Sequence, residues 1–505
     1  MQMPAEKAAL AAVDLGAQSC RVSLLRREQG QPRIQVVHRF ANGPVSTDDG
    51  LRWDIERILA GVKEGLRRCA QLAPEGIRTI GVDGWAVDYA RLDADGRVLA
   101  NPFCYRDERT RQSEQQVHQL IRPETLYALT GIQLLRINTL YQLYADQQAG
   151  IPAAARWLNL PEFVTFQLGG EAVSEYTNAT HTQLVALGRH EWCQEIFRAT
   201  GLDMAAAPKM VPTGTLVGSV SGELAELPAL QATRLIVPAC HDTASAIAGI
   251  PANGDDWAFI SSGTWSLVGC VNRTPSVGEE VRKLNFTNLG GVGGGICFLK
   301  NVNGMWILRQ CRDEWEAHGH FYSLPDLLEL CAAMPVPTFL IDVDDPELML
   351  PGQMFAKINA QAKAAGQPAF RVQSTDIPRL VNTIFHSLAA RYAEVLASIA
   401  KVTGKKIKRL FIVGGGSQNA LLNRMTAEYS GLEVEVGSSE STTIGNFAIQ
   451  LAALEGAWTE SVGVARADVA KWAEELLAHS GNPSADRQGA GQRREYRPRQ
   501  MEGHS

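Results

Sequence analysis

The sequence predicts an α/β protein of more than one domain, and three observations lead to that prediction. The chain has 505 residues, and a folded domain holds roughly 150 residues, so two to four domains are expected. Short apolar runs typical of strands are mixed with long amphipathic runs typical of helices. A second strand–turn–strand pattern begins at Trp257 and repeats the order in which the chain opens. The chain is therefore expected to start a second domain near that point.

The first part of the chain predicts three strands before the first helix. The helix is expected over residues 54–72, because its apolar residues repeat at helical spacing and form one face. Strands are expected at residues 10–15, 20–25, 33–40, 79–82 and 87–92. This order differs from the regular alternation of strand and helix in a doubly wound sheet.

The rest of the chain also mixes helices and strands. Residues 123–200 are expected to be mainly helical. A strand at 235–239 leads into His241, and a hairpin of strands at 257–260 and 265–271 follows. The remaining elements are expected to be a helix at 378–400, a strand at 409–413, a helix at 419–429 and a disordered tail at 481–505, which is poor in apolar residues.

Composition and charge exclude several classes of protein. The formal net charge of −6 argues against a nucleic-acid-binding protein, which usually has a basic face. The first residues do not form a signal peptide, and no apolar run reaches the ~20 residues of a membrane span. None of the nine cysteines lies in a CxxC pair, so reduced core cysteines are expected. These features predict a cytoplasmic protein without a nucleic-acid or membrane partner, and they leave the oligomeric state open.

Three turns rich in Gly, Ser and Thr are candidates for binding an anion. Each follows an apolar strand, and small residues there let backbone N–H groups approach an anion. The turns lie at residues 14–21, 261–265 and 413–419. The third opens a helix, whose N-terminus favours negative charge. Each turn by itself is also typical of a plain hairpin or loop, and the GxxxxGK[ST] and protein-kinase motifs are absent.

The first turn combines an acid, a Gly and a guanidinium. Asp14 ends the strand, and it is of the type that holds a hydrated Mg²⁺. Arg21 is of the type that neutralises phosphate oxygens. The alternative is an ordinary hairpin with a surface arginine.

Asp242 is the best candidate for the reacting centre. It follows a buried strand and lies between His241 and Thr243. Phosphoryl transfer needs a positioned hydroxyl, a base for its proton and neutralisation of charge, and Asp242 suits the role of base. The alternative is that Asp242 is a helix N-cap, a role that is compatible with catalysis.

Taken together, these segments resemble the FGGY family of carbohydrate kinases, which belongs to the actin-like ATPase superfamily. The order of a first phosphate turn, a catalytic Asp, a second phosphate turn and glycines beside adenosine is that of the family. Further segments resemble the branch of the family that phosphorylates L-rhamnulose, and the resemblance covers roughly residues 12–454. These segments are Tyr105-Arg106-Asp107, Asn138 to Leu143, Glu175 to Thr180, His241 to Ala246, Ser261 to Leu267 and Leu299-Lys300-Asn301.

The resemblance implies the fold and the activity. It implies two ribonuclease H-like α/β domains, at residues 1–249 and 250–480, each built on a five-stranded mixed sheet. ATP and the sugar are expected to meet in an inter-domain cleft. The implied reaction is the ATP- and Mg²⁺-dependent conversion of L-rhamnulose to L-rhamnulose 1-phosphate in L-rhamnose catabolism.

The resemblance also implies a role for each matching residue. Asp242 would be the general base, and Asp14 and Asp242 would hold Mg²⁺ through water. The sugar would contact Ala86, His241, Asp242, Thr243 and Asn301. The nucleotide would contact Ala17, Gln18, Ser19, Cys20, Arg21, Thr264, Arg309 and Gly415.

Two departures from the family pattern leave alternatives open. Ala86 stands where the family has a Gly beside the sugar, and Arg309 stands where it has a Gln near the nucleotide. The alternatives are a kinase for another ketose, such as L-fuculose, and a non-catalytic sensor with the same fold. The presence of Asp242, Thr264 and Asn301 argues against the sensor, which would not need a base.

Overall fold

The structure is a computed structural model that describes residues 9–479, except residues 333 and 457. The chain forms two compact units, and each is assembled from separated segments. Of the described residues, the first unit holds 9–253, 271–299 and 440–479, and the second holds 254–270 and 300–439. The expected disordered tail lies outside the described residues. The division at residue 249 and the inter-domain cleft stay predictions.

The strands lie throughout the described chain. They are β1 (Ala9–Leu15), β2 (Ser19–Glu28), β3 (Gln31–Ala41), β4 (Pro44–Thr47), β5 (Gly50–Trp53), β6 (Ile77–Gly84), β7 (Tyr89–Leu92), β8 (Arg156–Asn159), β9 (Val173–Glu175), β10 (Lys209–Val211), β11 (Thr215–Ser219), β12 (Arg234–Val237), β13 (Trp257–Ser262), β14 (Trp265–Asn272), β15 (Thr287–Gly290), β16 (Ile296–Asn303), β17 (Arg409–Val413), β18 (Glu433–Val436), β19 (Trp458–Thr459) and β20 (Gly463–Val464).

The α-helices lie between these strands and after the last of them. They are α1 (Ile55–Leu72), α2 (Thr110–Leu120), α3 (Pro123–Thr130), α4 (Thr139–Gln148), α5 (Leu160–Gln167), α6 (Tyr176–Ala179), α7 (Gln194–Thr200), α8 (Asp242–Ala248), α9 (Glu279–Lys283), α10 (Trp306–Ala317), α11 (Leu324–Ala332), α12 (Met354–Ala364), α13 (Asp376–Thr403), α14 (Ala420–Ser430), α15 (Ser441–Leu454) and α16 (Arg466–Ala478).

A mixed six-stranded sheet with the order β11-β12-β6-β1-β2-β3 forms the centre of the first unit. Strands β12, β6 and β1 are parallel, and β2 turns back antiparallel on β1. All seven residues of β1 are buried, and Asp14 is the one charged residue among them. The carboxyl ends of the three parallel strands therefore lie side by side.

A second six-stranded sheet has the order β15-β16-β14-β13-β17-β18. The expected α/β fold with two mixed sheets is confirmed, whereas the expected count of five strands in each sheet is wrong. In each case an extra antiparallel strand pairs with the strand at one edge, β11 with β12 and β15 with β16. Both extra strands are short, and neither was expected from the apolar pattern.

Helix α15 connects the sheet of the first unit to helix α8. Gln450 in α15 donates from Nε2 to the carbonyl oxygen of Ala11 at 3.0 Å and accepts from the Thr79 hydroxyl at 2.6 Å. Gly445 lies against the backbone of α8, and the Ser441 hydroxyl donates to the carbonyl oxygen of Ala246. These contacts fix α8, which begins at Asp242, against the sheet.

The strongly periodic elements were predicted closely. Helix α1 begins one residue after the expected start, β17 has the expected bounds, and α13 extends the expected helix by a few residues at each end. All nine cysteines lie among the described residues, where they are buried and none forms a disulfide bond. In the described part of the chain, no helix is both long and apolar enough to cross a membrane.

Candidate functional site

Three carboxylates lie at the carboxyl ends of neighbouring parallel strands of the first unit. Asp14 and Asp83 are register partners on β1 and β6, and Asp242 follows β12. The strand ends are tied together, because the Gly84 amide donates to the carbonyl oxygen of Cys240 at 2.9 Å and the Trp85 amide donates to that of Leu15 at 3.1 Å. This edge of the sheet is the candidate site.

Arg21 lies among carboxylates instead of on the surface. Its Nη2 is 2.6 Å from Asp14 Oδ2, and its Nη1 donates to Glu440. The side chain is only 20% exposed, so the interpretation as a surface arginine is wrong. Before a phosphate could use this guanidinium, it would have to share it with Asp14 and Glu440.

Burial is the largest cause of the raised pKa values of the three carboxyl groups. It raises the pKa of Asp14 to about 6, against the opposing charge of Arg21, and it raises the pKa of Asp242 to about 6. Burial and the nearby charge of Asp14 raise the pKa of Asp83 well above its usual value. Asp83 Oδ2 accepts from the Asn446 amide, whereas Oδ1 is buried and has no hydrogen-bond partner among the described residues. The cluster therefore favours a cation.

The Asp242 carboxylate is held through one of its two oxygens. Oδ1 accepts from the Thr243 amide at 2.6 Å and from the Thr243 hydroxyl at 3.2 Å, and it is 3.2 Å from Nε2 of His241. Oδ2 has no hydrogen bond to the described residues, and the side chain is 34% exposed. The expected cap is displaced by one residue, because His241 is the N-cap of α8 and Asp242 is the first helical residue.

His241 contacts a second histidine. Its Nδ1 is 2.9 Å from Nε2 of His181, which lies in the 3₁₀ turn Thr180–Thr182. Burial lowers the pKa of His241 to about 3 and the pKa of His181 well below its usual value. Both rings are therefore neutral at pH 7.

Glu175 fixes the backbone that precedes the candidate base. Its buried Oε2 accepts from the Cys240 amide at 2.9 Å and from the Thr177 hydroxyl at 2.6 Å, and its Oε1 accepts from the Thr213 hydroxyl at 2.6 Å. Next to it, Glu162 accepts from the Glu175 amide at 3.1 Å. Because Glu175 already accepts three strong donors, we assign it as the ionised member of the pair and Glu162 as the protonated member.

Replacing Glu162 should change how stability depends on pH. Burial, followed by the charge of Glu175, raises the pKa of Glu162 from 4.5 to about 8. The stabilisation by its proton is complete below the unfolded pKa near 4.5 and is lost as the pH rises through 8. We expect the thermal midpoint of the wild type to fall between pH 7 and 9 and that of Glu162→Gln to fall less.

The Asp14 and Asp242 carboxyls, with pKa values of about 6, are largely ionised by pH 7. They therefore contribute little to the change of the thermal midpoint between pH 7 and 9. Melting followed by circular dichroism at pH 7, 8 and 9 makes the comparison. Equal slopes for the two proteins would show that Glu162 does not hold a proton in the folded chain.

The candidate sugar loop at Trp85–Asp88 is strained. Val87 has φ 72°, which is rare for a β-branched residue. Its carbonyl oxygen accepts from the Thr139 hydroxyl at 2.7 Å and from Gln142 Nε2 at 3.3 Å. Residues of the segment from Asn138 to Leu143 thus hold this loop, and such strain is typical of functional sites.

Asp88 holds the same loop through hydrogen bonds that its carboxylate accepts. Its Oδ2 accepts from the indole nitrogens of Trp53 at 2.6 Å and Trp85 at 3.0 Å, and its Oδ1 accepts from Gln142. Ala86, between these anchors, is buried. Ala86, which stands where the family has Gly, therefore lies in a loop with little freedom to move.

The first turn has a buried and an exposed part. Gln18 is exposed, Ala17 and Ser19 are half-buried, and Cys20 belongs to the apolar core. Burial raises the pKa of the Cys20 thiol to about 12, so it remains protonated. Any contact of Cys20 with a phosphate would come from its main chain.

In the second unit, the hairpin turn with Thr264 packs on the start of α10. The Met305 amide donates to the carbonyl oxygen of Gly263 at 3.1 Å, and the Trp306 amide donates to that of Thr264 at 3.2 Å. A methyl group on Gly304 would lie 2.9 Å from the Gly263 oxygen, so a larger residue does not fit there. The turn is therefore held rigidly.

The glycine turn after β17 lies beside that hairpin, because β13 and β17 are parallel neighbours. Gly414 has φ 84°, and a methyl group on it would lie 2.8 Å from the carbonyl oxygen of Ser262. A methyl group on Gly416 would overlap the Ser262 hydroxyl, whereas one on Gly415 would meet no atom within 4 Å. The second and third predicted turns are thus brought together, with Gly415 at their open side.

Alanine substitutions in this turn should separate packing from ligand binding. We expect Gly416→Ala to lower the thermal midpoint, because its methyl group would displace Ser262, at a cost of about 1–3 kcal/mol. Gly415→Ala should leave the midpoint unchanged and raise the KM for ATP if adenine lies there. Melting curves and ATP titrations of both variants make the test, and a normal KM for ATP in Gly415→Ala would contradict the assignment of Gly415.

Asn301 and Arg309 lie on neighbouring elements of the second unit. Asn301 is half-buried in β16, and Arg309 is exposed on α10. Arg309 lines an open cavity of about 370 Å³ together with Met305, Leu308, Arg312, Asp313, Glu316 and Leu324. The arginine therefore faces a space with room for a ligand.

The structure brings together Asp14, Arg21 and Asp242 in the first unit, and Thr264 and Gly415 lie in adjoining turns of the second. Residues that the sequence pattern did not reveal complete the first cluster, namely Asp83, Glu440, Asn446 and His181. Asp83 had a recognisable signal, because Val82-Asp83-Gly84 ends an apolar strand as Asp14 does. The others come from distant segments and gave no local signal.

Comparison with known proteins gives the family. The models of the N-terminal and C-terminal domains of the FGGY family of carbohydrate kinases match residues 9–249 and 258–454. A rhamnulokinase of Enterococcus faecalis is 37% identical over 454 residues, which cover 89% of this chain and 90% of the relative.

Solved structures agree with the fold. A xylulose kinase of Lactobacillus acidophilus has a TM-score of 0.74 at 15% identity, covering 93% of this chain and 96% of that one. A glycerol kinase of Plasmodium falciparum, solved with ADP, has a TM-score of 0.70 at 14% identity, covering 94% and 93%. With the two domain models and the 37% identical relative, these findings show that this chain is an ATP-using carbohydrate kinase and belongs to the FGGY family.

Proposed function

We propose that the chain transfers the γ-phosphoryl group of ATP to the 1-hydroxyl of L-rhamnulose, in L-rhamnose catabolism, with Asp242 as general base. The similarity to a rhamnulokinase supports the choice of sugar. The observation that supports the base best is the geometry of Asp242, whose Oδ1 is held by neighbouring donors while Oδ2 is left open.

The proposed reaction needs one proton acceptor and one in-line displacement. Asp242 Oδ2 takes the proton of the sugar hydroxyl as the sugar oxygen forms a bond to the γ-phosphorus. The bond from that phosphorus to the β–γ bridging oxygen breaks, and ADP leaves with that electron pair. Thr243, by holding Oδ1 through its amide and its hydroxyl, keeps Oδ2 turned towards the substrate.

The carboxylate cluster suits a hydrated Mg²⁺. Asp14 and Asp242 would hold the ion through water, and its charge would neutralise the phosphate oxygens of the nucleotide. Asp83, with an unpartnered buried oxygen, adds negative potential beside them. The described residues contain no group of three or more His, Cys, Asp or Glu that could hold a metal ion. Mg²⁺ needs no such cage, since it usually keeps several waters and binds one or two carboxylates plus phosphates.

The proposed nucleotide contacts lie on the three turns rich in small residues and on α10. Residues 17–21 would contact phosphate, mainly through main-chain N–H groups. Thr264 would contact phosphate, Gly415 would lie on the adenine side and Arg309 would lie near the nucleotide. The tight packing of Gly304, Gly414 and Gly416 supports this, since it leaves the turns preorganised.

The test of the proposed function is a comparison of four sugars. We expect kcat/KM for L-rhamnulose to exceed those for L-fuculose, L-ribulose and D-xylulose, because polar groups such as His241 and Asn301 discriminate between hydroxyl patterns. ADP release coupled to an absorbance change gives the values. A preference for another of the four sugars would reject L-rhamnulose, and a lack of ADP release with any sugar would favour a sensor.

Ala86→Gly should alter the same comparison. If the methyl group of Ala86 meets the sugar, the variant should accept the other ketoses better, by roughly tenfold for a methyl-sized change. Because the loop around Ala86 is anchored by Asp88 and Val87, loss of the methyl group should change selectivity more than stability. An unchanged ranking and unchanged ratios would place that methyl group away from the sugar.

A further inference from the structure

We propose that Asp88 is a positioning residue that determines sugar affinity and selectivity, because its carboxylate closes the candidate sugar loop around Ala86. The inference rests on the proposed function, in which Ala86 contacts the sugar. The side chain of Asp88 is fully buried, and Ala86 is buried two positions before it. Asp88 therefore acts on the sugar through the loop and does not touch the sugar itself.

Four hydrogen-bond donors from separate parts of the first unit meet at this carboxylate. Oδ2 of Asp88 accepts from Trp53 Nε1 at 2.6 Å, from Trp85 Nε1 at 3.0 Å and from the Tyr105 amide at 3.2 Å. Oδ1 accepts from Gln142 Nε2 at 3.0 Å. Both oxygens must accept, and a carboxylate meets that requirement whereas an amide has one acceptor oxygen and two N–H donors.

The hydrogen bond from Trp85 to Asp88 spans the sugar loop. Ala86 and Val87 lie between these two residues, so the bond closes a ring that contains both of them. Val87 has φ 72°, a conformation that a β-branched residue keeps only where the surrounding contacts determine it. The main chain of Asp88 is fixed as well, since its carbonyl oxygen accepts from the Leu160 amide at 3.2 Å.

Loss of the carboxylate should affect the sugar side of the reaction. Without it, Val87 is free to relax towards negative φ, and Ala86 moves with it. A contact misplaced by about 1 Å can cost about 10²-fold in rate, and a loosely held wall discriminates less between similar sugars. The proposed nucleotide contacts lie on other turns, so the response to ATP should persist.

Asp88→Asn tests the proposal. The variant keeps the size of the side chain, but its N–H group points at one of the four donors, which loses its acceptor. We expect kcat/KM for the preferred sugar to fall about 10- to 100-fold, mainly through KM, with the KM for ATP unchanged. The ratios of kcat/KM among L-rhamnulose, L-fuculose, L-ribulose and D-xylulose should move closer to one.

Asp376→Asn is the matched control. Asp376 is also a buried acid and accepts from the Arg371 amide at 2.9 Å, but it belongs to the second unit. The same exchange of an acid for an amide should leave both KM values and the sugar ratios unchanged there.

Trp53→Phe is the second variant, and it decides the question if Asp88→Asn does not fold. Trp53 lies in β5, outside the sugar loop, and the substitution removes one donor to Asp88 while it keeps an aromatic ring in the core. The KM for the sugar should rise by a smaller factor than in Asp88→Asn, with the KM for ATP again unchanged. Where both variants fold, Trp53→Phe should have less effect in the Asp88→Asn background than in the wild type.

The outcomes separate this proposal from the proposed reaction. Kinetics come from ADP release, and sugar affinity comes from calorimetry, which does not depend on turnover. Unchanged sugar affinity and ratios in Asp88→Asn would overturn the inference even if the thermal midpoint fell, since the carboxylate would then serve stability alone. An equal rise of the KM for ATP would also overturn it. A wild-type preference for another ketose would reject L-rhamnulose, and the Asp88 comparison would then be made with that ketose.

Discussion

Asp242→Asn is expected to fold normally and to lose about 10²- to 10⁴-fold in kcat, because an amide cannot accept the proton of the sugar hydroxyl. Asparagine matches the size of Asp242, and its oxygen can still accept from the Thr243 amide, so α8 should keep its start. ATP binding should persist, because the proposed nucleotide contacts lie on other turns. The measurements are kcat from ADP release, ATP affinity by calorimetry and the thermal midpoint.

Asp203→Asn is the matched control. Asp203 also lies at the start of a short helical turn and accepts from the amide of Ala205 at 2.9 Å, but its side chain is exposed and the described hydrogen bonds and ion pairs do not join it to the carboxylate cluster. It should keep wild-type kcat. If Asp242→Asn also turned over at the wild-type rate, Asp242 would serve only the helix, and the proposed mechanism would be wrong.

Gly445→Ala is expected to reduce both stability and turnover. A methyl group on Gly445 would overlap the carbonyl oxygen of Ser245 and lie 2.8 Å from the amide nitrogen of Gly249. These two groups are joined by a backbone hydrogen bond of α8, so the methyl group cannot be accommodated by turning a side chain. We expect a loss of about 3 kcal/mol in the free energy of unfolding, the upper part of the range for overpacking.

The same substitution should also move the start of α8, and with it Asp242. kcat per folded molecule should therefore fall while the KM for ATP changes less. Gly43→Ala is the control, since a methyl group there meets no atom within 4 Å. Melting curves and active-site-normalised rates make the comparison, and a normal midpoint for Gly445→Ala would show that α8 and α15 pack less closely than these distances indicate.

The local sequence pattern was sufficient to predict an element wherever the apolar residues that define it lie within that element. The apolar period predicted α1 to within one residue, and the run at Arg409–Val413 predicted β17 with its bounds. An acid after a buried strand is a local signal too, and it pointed to Asp14 and Asp242. The short edge strands β11 and β15 were missed, because their few residues carry no strong alternation and their pairing depends on the neighbouring strand.

The amino-acid sequence was enough to establish the α/β class, the three small-residue turns and, through its resemblance to the FGGY family, the kind of chemistry. Which partner each charged or polar side chain of the site binds depends on tertiary contacts. Arg21 is bound by Glu440, Asp83 by Asn446, and His241 by His181, and each pair is separated by 60 to 419 positions along the chain. Such partners meet only when the sheet brings the strand ends together and α15 packs beside them. A local pattern can place a carboxylate at the end of a strand, but its pKa and the direction of its hydrogen bonds depend on neighbours that the fold supplies.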